Sequence, residues 1–268
     1  MSAPASPSAP SPAYLPAALR RMRVEMGTLL VIEARAASAG EARVAVAGAF
    51  AEAARLARLL DPWVPQSDLW RLNRATGASA LPISRAALEV LRFAQRVSQL
   101  SAGFFDPCLP TQPGRIADLE LIDGEPPRAI VHRPLEIDCG GIAKGYVVDA
   151  AVTVLLKAGC SAGLVNAGGD LRVFGVHCEP LLLRGPAGTC RLVPLGDAAV
   201  AVSDRDLRRA PSGHRGYYVR SGSAAARRFA AVRAADAMTA DALTKCLLLA
   251  PTALNEALLN ELHSESLV

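Results

Sequence analysis

The sequence predicts one enzyme-sized unit of mixed strands and helices, and three observations predict it. The 268 residues are 51% hydrophobic and 20% charged, which supplies enough apolar side chain for one large core. Helical periodicity recurs at residues 43–60, at 85–100 and from 145 onward, with short apolar runs bounded by turn residues between those helices. The densest glycine use, at residues 135–175, falls between a strand-like run and a helix, where a ligand can approach bare backbone.

Residues 1–19, MSAPASPSAPSPAYLPAAL, are rich in Ala, Ser and Pro and lack an uninterrupted apolar stretch. They predict a disordered tail rather than an export signal, leaving residues 20–268 as the folded unit. Met26-Gly27-Thr28 opens a strand at residues 29–33. The Ala-rich stretch 43–60 is an amphipathic helix ended by Asp61-Pro62, after which Trp63 leads into SDLWRLN at residues 67–73. Ser84 caps a helix over 85–100, whose apolar face is Leu88, Leu91, Phe93 and Val97. It stops at Gly103, and Asp106 in Phe104-Phe105-Asp106-Pro107 reads as an Asx-turn residue before a proline. Residues 108–134 are proline-rich and irregular, apart from a short strand at 129–132.

A strand at 135–137 ends in Asp138, and Gly140-Gly141 then feed a helix read from Gly145, with apolar positions 147, 148, 151, 152, 155 and 156. Gly159 sits where a left-handed C-cap is expected. A glycine turn running into a helix N-terminus suits a phosphate or pyrophosphate, because unpaired N–H groups and the positive end of the dipole face it. Lys144 adds a full charge. A strand at 162–165, the turn Asn166-Ala167-Gly168-Gly169-Asp170 and a strand at 171–174 follow. Neither glycine turn is the P-loop, which needs GxxxxGK[ST], nor the dinucleotide GxGxxG. Either one alone is ordinary turn chemistry; flanking one helix, the two suggest a different phosphate-binding arrangement.

Further strands are expected at 180–183, 190–194, 199–203 and 229–234. The Arg-rich stretch 204–228 reads as a surface loop with a strand at 217–219. A helix starts near Met238 with Thr239 as N-cap and Asp241 in its first turn, and Pro251 stops it. Residues 252–263 make a last helix. The net charge of +4 comes from scattered arginines with no basic stripe, so nucleic acid is not indicated, while an anionic nucleotide is suited. Six cysteines without a CxxC pair argue against a zinc site or a thioredoxin-like motif. No segment is long and apolar enough to span a membrane, and the chain as written reads as cytoplasmic.

The run DCGGIAKGYVVD (138–149) followed by LVNAGGDLRVFG (164–175) resembles the ApbE family, the FAD:protein FMN transferases. Outer motifs support it by their order. Met26-Gly27-Thr28 matches near the start, SDLWRLN resembles S-[ED]-[IL]-S-R-[FL]-N, Phe105-Asp106-Pro107 resembles G-x-F-D-P, and ADALTK (240–245) resembles A-D-A-L-[AST]-T. The resemblance spans residues 26–250 and implies an α+β fold of the ApbE type. It implies FAD as donor, and Mg²⁺-assisted transfer of FMN through its phosphate to a Ser or Thr of an acceptor flavoprotein, with AMP released. It implies that Met26, Trp63, Phe105, Asp106, Asp138 and Lys144 hold FAD, and that Asn166, Gly168, Gly169 and Asp170 shape the pocket beside the flavin. The metal would be held by Asp241 and the Gly141 carbonyl, with Thr244 the hydroxyl nearest the pattern.

Two departures stand out. Lys245 occupies the place of the metal-binding threonine; four residues after Asp241 on the same helix face, its ammonium is expected in the metal's place or in an ordinary ion pair. GHRGYYVRSG (213–222) replaces H-I-I-D-P-x-[ST]-G, so that His214 becomes the candidate general base beside Asp241 among the catalytic residues. These departures keep open a catalytically drifted FAD-binding protein and an FAD pyrophosphatase. Many members of the family are exported or lipid-anchored, so a periplasmic location stays open as well.

Overall fold

In the computed structural model, which describes residues 17–75, 77, 79–185, 190–205 and 227–268, the chain opens on a hairpin. Strands β1 (Ala17–Glu25) and β2 (Thr28–Ala36) pair from Ala17↔Ala36 to Glu25↔Thr28. The two-residue turn between them is Met26-Gly27, both with positive φ (53° and 69°), a geometry that matches the twist of paired strands. The hairpin belongs to a seven-stranded sheet that also contains β6 (Ala162–Ala167), β7 (Asp170–Arg184), β8 (Cys190–Asp204), β9 (Phe229–Ala234) and β10 (Glu265–Ser266). The order is β1-β2-β6-β7-β8-β9-β10, and every neighbouring pair is antiparallel. A small second sheet is made of β3 (Leu81–Pro82), β4 (Leu119–Ile122) and β5 (Arg128–Val131), in the order β3-β5-β4.

Side-chain alternation divides the large sheet. Leu30, Ile32, Val165, Ala199, Ala201, Ala230 and Val232 face one layer, while Leu171, Val173, Leu195, Val200, Phe229 and Ala231 form a smaller cluster on the other side. Against the first face lie α1 (Ala39–Leu59) over β1 and β2, α4 (Ala143–Lys157) over β6 and β7, and α5 (Ala237–Leu249) over β8 and β9. The alanines of β8 and β9 leave little side chain beneath α5, so that helix sinks into the molecule. Ten of its residues, including Asp241 and Thr244, are buried. The short α2 (Asp68–Leu72) and the longer α3 (Arg85–Leu100) adjoin the small sheet, and α6 (Thr252–Glu261) packs against α5. Helices gathered on one face of an antiparallel sheet make an α+β fold, the expected class.

Several elements match the sequence reading closely. Ser84 caps α3 through Ala87 N–H, and Gly159 ends α4 with φ 80°. Others are corrected. β1 starts at Ala17, inside the stretch expected as a tail. Residues 135–137 are not a strand, since only Ile137 bridges to Cys108. α4 starts at Ala143, two residues before Gly145, because Cys139 carbonyl already accepts from Ile142 and Ala143 and starts the turn. The pieces expected at 180–183, 190–194 and 199–203 belong to two 15-residue strands. The N-cap of α5 is Asp236, whose carboxylate takes both the N–H and the hydroxyl of Thr239 (2.7 and 3.0 Å). Asp241 therefore lies in the second turn of α5 rather than the first. Among the described residues no helix is long and apolar enough to cross a membrane.

Candidate functional site

Two clamps hold the first glycine turn. Asn73, the C-cap of α2, grips the backbone of Ile137 from both sides: its amide donates to the Ile137 carbonyl at 2.9 Å and its oxygen accepts the Ile137 N–H at 2.7 Å. Ser67 caps the same helix, and the buried Asp68 pairs with Arg71 while accepting Ser84 N–H at 3.1 Å. One residue past Ile137, Asp138 N–H reaches the Pro107 carbonyl and the Asp138 carboxylate accepts Gly140 N–H at 2.8 Å. The SDLWRLN and Phe-Asp-Pro motifs thus both brace the entry into α4. Gly140 and Gly141 do not take positive φ. At 141 an added Cβ would meet both Cγ and Cε of Lys245 at 3.4 Å, so the lysine stem lies directly against this turn.

The second support is a backbone contact between α4 and α5. At Gly145 an added Cβ would come within 2.5 Å of the Ala237 carbonyl carbon and 2.7 Å of Met238 Cα, so only glycine lets the two helices meet. One turn later Asp149 accepts the N–H groups of Ala237 and Met238, each at 2.9 Å, and pairs with Arg172 of β7 at 2.8 Å. This carboxylate satisfies donors at the N-terminus of α5 that have no partner within the helix. Neither residue was singled out in the sequence. The signal was present in the motif itself, whose Gly145 and Asp149 stand four residues apart on one helix face.

Four charged side chains meet at this crossing. Asp241, 0% exposed, receives Gly145 N–H at 3.2 Å on Oδ2 and the ammonium of Lys245 on Oδ1, with Lys144 Nζ 3.9 Å from Oδ2. Lys144 also donates to the buried Asp170 at the start of β7, whose Oδ1 has no hydrogen-bond partner. Burial alone would raise the pKa of Asp241, but Lys144, Lys245 and the Gly145 N–H together hold it below the ordinary value. Asp170 is pushed up, first by burial and then by the neighbouring Asp241 carboxylate, against the pull of Lys144. The lysine side chains keep 28% and 12% of their surface exposed, so the two cations are partly accessible beside two sunken anions. Such a surface offers ammonium donors to a phosphate.

The residues do not fit Mg²⁺. That ion demands near-octahedral oxygen ligands, yet both Asp241 oxygens are engaged by cationic or N–H donors. Thr244 turns its hydroxyl to the Asp241 backbone carbonyl and to Ser203, each at 2.7 Å, and not to the carboxylate. A dication at ~4 Å from either ammonium would be repelled by on the order of 8 kcal/mol at an effective dielectric near 20. Among the described residues no three His, Cys, Asp or Glu side chains gather as a metal site.

Of the remaining expected residues, those of the two hairpin turns lie side by side. Thr28, which follows Met26-Gly27, fills the space beside Gly168, where a Cβ would come within 3.0 Å of Thr28 Cβ. The β1–β2 turn and the second glycine turn are therefore neighbours. Gly168 and Gly169 have φ of 67° and 107°, the two-residue hairpin turn between the paired Ala167 and Asp170, and Asn166 steadies it by accepting Gly169 N–H at 3.0 Å. Met26 is half-buried. Phe105 is buried, and Asp106 accepts Cys108 N–H at 3.0 Å while pairing with Arg115 at 3.1 Å, so the expected Asx turn forms. Trp63 stands 71% exposed in the loop ahead of α2. His214 and the strand expected at 217–219 lie outside the described residues.

Comparison with known proteins gives a consistent pattern. The sequence profile of the ApbE family matches residues 26–112 and 111–268. A protein of Rhodobacter capsulatus named FAD:protein FMN transferase is 27% identical over 177 residues, which cover 56% of this chain and 34% of that protein, so the matched stretch spans about a third of the relative's length. The ApbE protein of Thermotoga maritima superposes with a TM-score of 0.75 at 20% identity, covering 91% of each chain. The flavinyl transferase ApbE of Pseudomonas stutzeri, in its apo form, gives 0.76 at 20% identity, covering 92% of this chain and 89% of the other.

Proposed function

The chain belongs to the ApbE family, and from that premise we propose that it is an FAD:protein FMN transferase. The observation that carries the reading is convergence. The first glycine motif (Lys144, Gly145), the second (Asp170) and the ADALTK helix (Asp241, Lys245), separated by up to about a hundred residues in sequence, meet within hydrogen-bonding distance at one cluster, with Gly141 against the Lys245 stem. A relative named for FMN transfer from FAD supplies the reaction class.

In this reading the diphosphate of FAD lies over the ammonium groups of Lys144 and Lys245. The flavin side is shaped by the Asn166-to-Asp170 turn and by Met26, and the exposed indole of Trp63 offers an apolar face to a ring. Phe105, Asp106 and Asp138 hold the adenosine side. A Ser or Thr hydroxyl of an acceptor flavoprotein attacks the phosphorus of the FMN half. The new P–O ester forms as the P–O bond to the AMP half breaks, and AMP leaves with the bridging oxygen. Charge grows on that oxygen, where fixed ammonium donors offset it. The proton of the hydroxyl passes to a base, for which His214 is the candidate.

Incubating the purified protein with FAD, with and without an acceptor flavoprotein, tests this. The proposal expects AMP only when the acceptor is present, and an acceptor heavier by one FMN less water. AMP plus free FMN without acceptor would make the protein an FAD pyrophosphatase. Binding without turnover would make it a flavin-binding protein, the reading that the Lys245 substitution favours.

A further inference from the structure

Lys245 spans the two positions that hold the metal in the family pattern. Its stem lies on Gly141, where a Cβ would touch Cγ and Cε at 3.4 Å, and its ammonium ends on Asp241 Oδ1. We propose that Lys245 is a built-in cation in place of a divalent metal, so that this chain binds the diphosphate of its nucleotide without Mg²⁺. The inference rests on the reading of this cluster as the FAD site.

The geometry supports it in three ways. An ammonium carries three donors, and the one given to Asp241 leaves two to reach phosphate oxygens. The pairing also fixes the side chain: Asp241 is fully buried in α5 and anchored by Gly145 N–H at 3.2 Å, so the Lys245 head group is held before any ligand arrives. Lys144, the second cation, is oriented in the same manner by Asp170. The substitution is also matched by its neighbour. Thr244, the other candidate oxygen ligand, is spent on Ser203 and its own helix at 2.7 Å each, as expected where no metal has to be ligated.

Calorimetric titration of FAD into the wild-type protein, once in EDTA and once in excess MgCl₂, tests the inference without relying on turnover. We expect equal affinities within about twofold. Lys245→Thr and Lys245→Met, which keeps the stem and loses the charge, should each bind FAD about 10- to 100-fold more weakly in EDTA, the range for losing one charge-assisted hydrogen bond. Wild-type FAD binding that tightens tenfold or more with Mg²⁺ would overturn the inference and leave the FAD reading intact, as would unchanged affinity of both variants in EDTA. Absence of FAD binding by the wild type under both conditions would overturn the FAD reading itself and this inference with it.

Discussion

Replacing Gly145 by alanine probes the contact on which the site is built, and two physical effects predict opposite signs. Helix propensity alone favours alanine in a helix interior by about 1 kcal/mol. The structure predicts the reverse. The new Cβ would sit 2.5 Å from the Ala237 carbonyl carbon and 2.7 Å from Met238 Cα, against the ~3.5–4.0 Å of normal carbon contacts, and backbone cannot rotate aside. Relief requires α5 to move away from α4 by about 1 Å. Overpacking of this kind costs about 1–3 kcal/mol. The same movement stretches the Gly145–Asp241 bond and the two Asp149 bonds, and charge-assisted bonds of this type contribute roughly 1.5–3 kcal/mol each. Partial loss of them, set against the propensity gain, gives a net destabilisation of about 3–4 kcal/mol, or roughly 6–16 °C in Tm for a domain of this size. Gly48→Ala in α1 is the control. There the Cβ meets only Val154 Cγ1 at 3.5 Å, an ordinary contact, so propensity decides and the variant should gain about 0.5–1 kcal/mol. Chemical denaturation of both variants reads the signs, and a Gly145→Ala protein as stable as wild type would refute the close-crossing argument.

Asp149→Ala should cost about 3–4 kcal/mol in urea unfolding, because two N–H groups of the α5 terminus and Arg172 lose their partner together, while Asp149→Asn should cost about half of that. Asn73→Ala should cost about 2–3 kcal/mol by the same assay, since both bonds to the Ile137 backbone go, and should weaken FAD binding by loosening the Asp138 turn. Burial pushes the Cys246 thiol up to about 12 and raises Cys139 as well, so in alkylation at pH 8 followed by peptide mass mapping the exposed Cys178 should label well before either, which should react only on unfolding. Deleting residues 1–19 removes the Ala17↔Ala36 to Leu19↔Ala34 end of the β1–β2 ladder, and should lower stability by about 1–2 kcal/mol relative to deletion of residues 1–16.

Where local chemistry decides, the sequence was legible. Ser84 followed by an apolar face of period 3.6 placed α3 at Arg85–Leu100, and Gly159 marked a left-handed stop. Composition misled at β1, where Ala17, Ala18 and Leu19 continue the small-residue run of the preceding segment and owe their strand to pairing with β2. The long β7 and β8 looked broken because Pro180, Pro194, Gly175 and Gly196 interrupt the alternation, yet Pro180 and Pro194 are paired across the ladder next to a register shift between Val173 and Cys178. The Asp241–Lys245 pair could be read as an i, i+4 contact. Its meaning could not, because Gly145, Asp149 and Asp170 come from other elements, and only the packing of α4 on α5 makes a surface-type ion pair a buried one.

The central claim, that the crossing of α4 and α5 is where the phosphates of FAD bind, is tested most directly by a crystal structure of the FAD complex grown without added metal. Diphosphate oxygens are expected within about 2.7–3.2 Å of the ammonium nitrogens of both Lys144 and Lys245. FAD bound with its diphosphate away from both lysines would contradict it.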